Sequence, residues 1–252
     1  MLKTVKNCKN LNMETIRLRR GRPSSLALAL ALAITMLVVN LLSLQGLPRE
    51  EAAAAAAVQG NARLHLDGLE GRFLLSSLHD DETQARVAAA LCAENGGAGL
   101  ILQENGQYAV VYAEGKDLSA GEEPTLHRSA PGLDMEIEAP AEVISAIADG
   151  TAALRALAAE TGALAGALGS GESDRRTVSA LLSVYKTQLE TAADGLTEAN
   201  HPAAALIHAA LEKHNSIIDC ALAHPTPGKI RLVHAAACRE WIALLNSLIA
   251  LA

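Results

Sequence analysis

The sequence predicts an α+β protein: an N-terminal transmembrane helix, a small βαββ(β) module, and a C-terminal bundle of about four helices. Three observations predict this. An uncharged apolar run, Ser24 to Leu44, follows a basic leader; between Arg63 and Glu138 the apolar residues switch between strand and helix spacing; and beyond Ala141 they recur every three or four positions. The resulting boundaries are a cytoplasmic leader over 1–23, a span over 24–44, a stalk over 45–62, an α/β module over 63–139 and a helical domain over 140–252.

The span is long enough to cross a bilayer, because about 20 apolar residues rising ~1.5 Å each cover the hydrocarbon core. The leader carries Lys3, Lys6, Lys9, Arg17, Arg19, Arg20 and Arg22 against one acid, Glu14. Positive residues stay inside, so a single-pass topology follows, with the N-terminus cytoplasmic and the bulk outside the cell membrane. A cleaved secretory signal is the alternative, with the alanines of Ala52 to Ala57 as small residues for a peptidase. Its apolar region is normally shorter, about 7–15 residues. Beyond the leader, 14 basic residues face 27 acidic ones. That balance excludes a nucleic-acid partner, which needs a basic surface to displace counterions.

Gln45 to Ala62 holds a Pro, a charged triplet and six consecutive alanines without apolar period, as a stalk would. RLHLDGLEGRFLLSSL, from Arg63, reads as strand. Asp80 and Asp81 then open a short helix in which Ala85, Ala88, Ala89 and Cys92 share a face and which Gly96-Gly97 stops. Gly99 to Gln103 reads as a strand, Glu104-Asn105-Gly106 as a tight turn and Gln107 to Ala113 as the hairpin partner, Asn-Gly between apolar runs being the strongest short hairpin signal. Gly115 to Gly132 loses periodicity and reads as an exposed loop. Leu133 to Glu138 alternates polar and apolar residues up to Pro140, which suits a half-exposed edge strand.

The remainder is helical. Val143, Ile147, Gly150, Leu154, Leu157, Thr161, Leu164 and Leu168 form one stripe, and Val178, Leu181, Tyr185, Leu189, Ala192 and Leu196 form a second, after the breaker Gly169-Ser170-Gly171 and a cap at Ser173. Pro202 opens a third helix reaching about Ala223, and Pro225-Thr226-Pro227-Gly228 separates it from a fourth.

Two constellations bear on function. Cys220, His224, His234 and Cys238 flank that last turn symmetrically, with i, i+4 spacing on each helix. They suit a Cys220–Cys238 disulfide, a Cys2His2 zinc site, or two buried core thiols with solvated imidazoles. No Gly-x-Ser-x-Gly elbow, HExxH pair, Walker loop or GxGxxG turn occurs, so no enzyme and no cofactor are expected.

The pieces FLLSSL, DDETQARVAAALCAENG and AGLILQENGQYAVVYAEG, within Phe73 to Gly115, resemble the SPOR (sporulation-related repeat) family of bacterial envelope proteins. The chain departs from that pattern in lacking a Gly after the first strand and in having the irregular stretch Lys116 to Pro131 where a second helix would stand. The resemblance implies a domain that binds peptidoglycan glycan strands during sporulation or cell division. It also implies that Phe73, Ser76, Gln107, Tyr108 and Tyr112 lie on the glycan-facing sheet, where aromatic rings stack on sugars and Gln and Ser meet hydroxyls. From the residues alone, Phe73, Tyr108 and Tyr112 also suit packing beneath the helix, Tyr108 and Tyr112 sharing one strand face and apolar strand faces being more often core. The alternative role is a non-enzymatic scaffold that docks an envelope protein through its helices.

Overall fold

The computed structural model describes residues 59–115 and 124–251. Their order is β1 (Gln59–Leu66), β2 (Leu69–His79), α1 (Glu82–Glu94), β3 (Leu100–Glu104), β4 (Gln107–Glu114), β5 (Thr125–Ala130), β6 (Leu133–Pro140), α2 (Ala141–Ser170), α3 (Arg175–Leu196), α4 (Pro202–Ala223) and α5 (Pro227–Ile249). Local chemistry sets most of these ends. Asp81 caps α1 by accepting from the Gln84 amide at 2.9 Å. Asn105 and Gly106 both have positive φ, 49° and 83°, which gives the β3–β4 hairpin the twist its strands require. Asp174, one residue beyond the expected Ser173, caps α3, and Thr226 followed by Pro227 opens α5.

The strands form two antiparallel sheets, one of order β3-β4-β2-β5 and one of β1 with β6. Pairing runs almost unbroken from Gln59↔Pro140 to Leu66↔Leu133, then from Leu69↔Ala130 to Leu74↔Thr125. The two sheets are therefore one long ribbon bent at Gly68 and Gly132. A side chain at Gly68 is excluded there, since its Cβ would lie 2.7 Å from the Gly132 amide nitrogen and 2.8 Å from the Ala130 carbonyl.

Helices cover both faces of the four-stranded sheet. Ala85, Ala89 and Cys92 of α1 pack on Val110, with Tyr108, Tyr112 and Ile101 around them. Side chains alternate along a strand, so Ala109, Val111 and Ala113 point the other way, and all three are buried. On that side α5 packs against β2, β4 and β5. There Ile242 lies beside Gly71 and Phe73, and the Trp241 indole N–H donates to the Asp67 carbonyl at 3.1 Å. The opposite side of α5 joins α2 and α4 in the bundle, where Leu154, Leu157, Ile207, Leu211, Ile218 and Leu245 are buried.

The expected fold class is corrected in three respects. First, the described residues form two sheets and five helices within one compact unit, not a small module beside a bundle, because α5 belongs to both the sheet core and the bundle core. Second, Thr125–Ala130, read as loop, is the edge strand β5, and the strand at Leu133–Pro140 pairs with β1 instead of extending the main sheet. β5 is mostly polar and only its last residue, Ala130, is buried, so backbone pairing with β2 supports it without an apolar period to announce it. Third, the expected N-terminal transmembrane helix, 24–44, lies outside the described residues. Among those described, the one helix long and apolar enough to cross a membrane is α5, at the other end of the chain, and 61% of that stretch is buried inside the protein.

Candidate functional site

The five residues assigned to a glycan-facing sheet do not share a face. Phe73 is fully buried on the side covered by α5. Tyr108 and Tyr112 pack on the opposite side beneath α1. The Tyr112 ring lies 5.2 Å from the Arg231 guanidinium, which also donates to the phenol oxygen at 3.3 Å and to the Gly96 carbonyl. Ser76 and Gln107 are exposed, and the Gln107 amide donates to Asp80 at 2.8 Å. The flat platform implied by the resemblance is thus covered on both sides. Helices took both faces because β2 and β4 carry apolar residues at both parities: Leu75, Val111 and Ala113 on one face, Val110 on the other.

What remains open is a groove of about 440 Å³ running along the edge strand β3. Tyr108, Glu82, Arg86, Gln103 and Ile101 line it, together with Leu232 from α5. Arg86 is held by its i, i+4 partner Glu82, with the shortest N–O separation 2.6 Å. One aromatic ring, an amide and an ion pair thus meet on a concave surface beside the edge strand β3, whose Gln103 carbonyl accepts from Arg128 at 3.0 Å.

The cysteine and histidine constellation is also divided. Cys220 and His224 are exposed, whereas His234 and Cys238 are buried, and Cys92, Cys220 and Cys238 are all free thiols. Of the alternatives the sequence left open, the Cys220–Cys238 disulfide is not formed. Its physical reason is rotation about the helix axes: Cys220 lies on the solvent side of α4, while Cys238 faces α2, its thiol 3.5 Å from the Ala158 carbonyl.

A residue that sequence reasoning did not single out completes the buried pair. Glu114, the last residue of β4, places Oε2 2.6 Å from His234 Nε2 and 3.5 Å from Cys238 Sγ. The Arg72 amide donates to its other oxygen at 3.3 Å. His234 Nδ1 lies 3.3 Å from the Thr161 hydroxyl oxygen, and that hydroxyl donates to the Leu157 carbonyl at 2.6 Å. Gly162 gives the ring its room, since a Cβ there would stand 2.8 Å from Nε2. Burial, then the charge of Glu114, push the Cys238 thiol well above its ordinary range. The carboxylate, imidazole and thiol atoms all lie within 4.8 Å of one another, the kind of spacing a single metal ion spans.

No protein-family model, no curated protein and no solved structure matches the chain.

Proposed function

We propose that the protein is a non-enzymatic component of the bacterial cell envelope that binds peptidoglycan glycan strands during sporulation or division, using the groove beside β3. The observation that carries this reading is the groove itself, in which Tyr108 meets Gln103, Glu82 and Arg86. An aromatic ring presents an apolar face to a sugar ring, and the amide and charged groups match hydroxyl and N-acetyl groups. A membrane location, with the bulk of the chain outside, rests on the basic leader and the apolar run after it.

The test is co-sedimentation of the detergent-solubilised full chain with isolated peptidoglycan. Binding should weaken in Gln103→Ala and Arg86→Ala, both exposed positions, and further in Tyr108→Ala. Unchanged sedimentation of all three folded variants would exclude the groove, and no sedimentation of the wild-type chain would exclude glycan binding.

A second reading, docking of an envelope protein, is favoured by Val87 and Leu91. They are 59% and 54% exposed and one turn apart on the outer side of α1. A photo-crosslinker at Val87 that captures one defined partner in cells, with capture lost in Leu91→Asp, would support it over glycan binding.

A further inference from the structure

We propose that Glu114, His234 and Cys238 form a binding site for one zinc-class divalent ion, buried between β4, α5 and α2 and separate from the groove beside β3. Zinc takes carboxylate oxygen, imidazole nitrogen and thiolate sulfur at about 2.0–2.3 Å, so tetrahedrally disposed ligand atoms stand about 3.4–3.6 Å apart. The sulfur–oxygen separation here is 3.5 Å and the sulfur–nitrogen separation 3.9 Å. The nitrogen–oxygen separation, 2.6 Å, must widen by less than about 1 Å, within the rotamer freedom of a Glu side chain.

The surroundings fit a ligand histidine. The Thr161 hydroxyl gives its proton to Leu157, so its lone pairs are left to accept from His234 Nδ1–H. Nε2 then faces Glu114, and the Cys238 thiol, 3.9–4.0 Å from both ring nitrogens, turns about its side-chain torsion to meet the same ion. A metal-ligating imidazole is commonly oriented through its other nitrogen in this way. At 2.6 Å a proton joins Nε2 and Oε2, and a metal ion takes its place as the two atoms part, releasing that proton to solvent. The Cys220 and His224 positions expected from the sequence contribute nothing, both being exposed. Three protein ligands leave a fourth position for water, and coordination releases the Cys238 thiol proton to solvent.

Cobalt(II) is the probe, because thiolate coordination gives it an intense charge-transfer absorption and tetrahedral geometry gives it strong visible bands. The full chain, solubilised in mild detergent, reduced and stripped of metal, should bind one Co2+ with both signatures and release it to Zn2+. Cys220→Ser and Cys92→Ser should retain the charge-transfer band, and Cys238→Ser should lose it. Thr161→Val should weaken binding about 10–100-fold while the bands keep their positions. Glu114→Gln, nearly isosteric, should weaken it at least tenfold while circular dichroism shows the same helix content. Absence of a one-to-one complex in the folded wild type would overturn the proposal. So would a charge-transfer band that survives Cys238→Ser, or unchanged affinity in Glu114→Gln.

Discussion

The two faces of the four-stranded sheet are covered by helices of very different kinds. On one side α1 is 13 residues long, buries only Ala85, Ala89 and Cys92, and leaves Val87 and Leu91 in water. On the other, α5 buries Ile230, Val233, His234, Trp241, Ile242, Leu245 and Leu248, touching the sheet with one side and the bundle with the other. Small alanine side chains let α1 lie close to the strands but bring little apolar area with them. The α5 face carries most of the burial that holds sheet and bundle together, and α1 acts as a cover.

The strongest way to break that contrast is Trp241→Ala, which empties the largest fully buried side chain and removes its hydrogen bond to Asp67. We expect a loss of about 3–5 kcal/mol. It is measured by denaturant unfolding followed by far-UV circular dichroism, and a loss below 1 kcal/mol would refute the central role of α5.

The bundle side of α5 can be tested through pH. His214 of α4 is fully buried, its Nε2 has no hydrogen-bond partner among the described residues, and burial lowers its pKa to about 4. The unfolded chain binds a proton near pH 6.5 that the folded chain refuses until about pH 4. His214 therefore leaves stability intact above pH 6.5 and removes up to about 3 kcal/mol as pH falls through that window. Unfolding curves at pH 7.5 and 4.5 should differ less in His214→Leu than in the wild type, and an equal difference would show that another group governs the slope.

Effects on the α1 side should be smaller. Asp81→Ala removes the cap of α1 and should cost about 1 kcal/mol, read as a lower denaturation midpoint. Val87→Ser and Leu91→Ser should each change stability by less than about 0.5 kcal/mol, because both side chains already face solvent. A large effect from either would mean that α1 is more than a cover.

The elements themselves were widely legible. The four C-terminal helices, their Pro, Thr and Gly boundaries, the Asn105-Gly106 hairpin and the α1 cap all follow from neighbours within a few residues. In the second stripe the periodicity slips locally: Leu182 is buried, whereas Leu181 is only half-buried. The candidate sites were only partly legible. His234 and Cys238 stand out by their i, i+4 spacing, yet their partner Glu114 is more than a hundred residues distant and looks like any strand-end acid. Tyr108 stands out as an aromatic in an aromatic-poor chain, but nothing local says that α1 would cover its face and leave an edge groove.

What the sequence determined by itself is most of the inventory of elements, β5 excepted, since capping, turn chemistry and hydrophobic period act over three or four residues. Tertiary structure alone decided that β1–β2 and β5–β6 form one bent ribbon, that α5 closes the second sheet face, and that Glu114 meets His234 and Cys238. Those outcomes depend on how apolar faces distant in the chain bury one another. Hydrophobic attraction is non-directional, and no local pattern encodes which face it will choose.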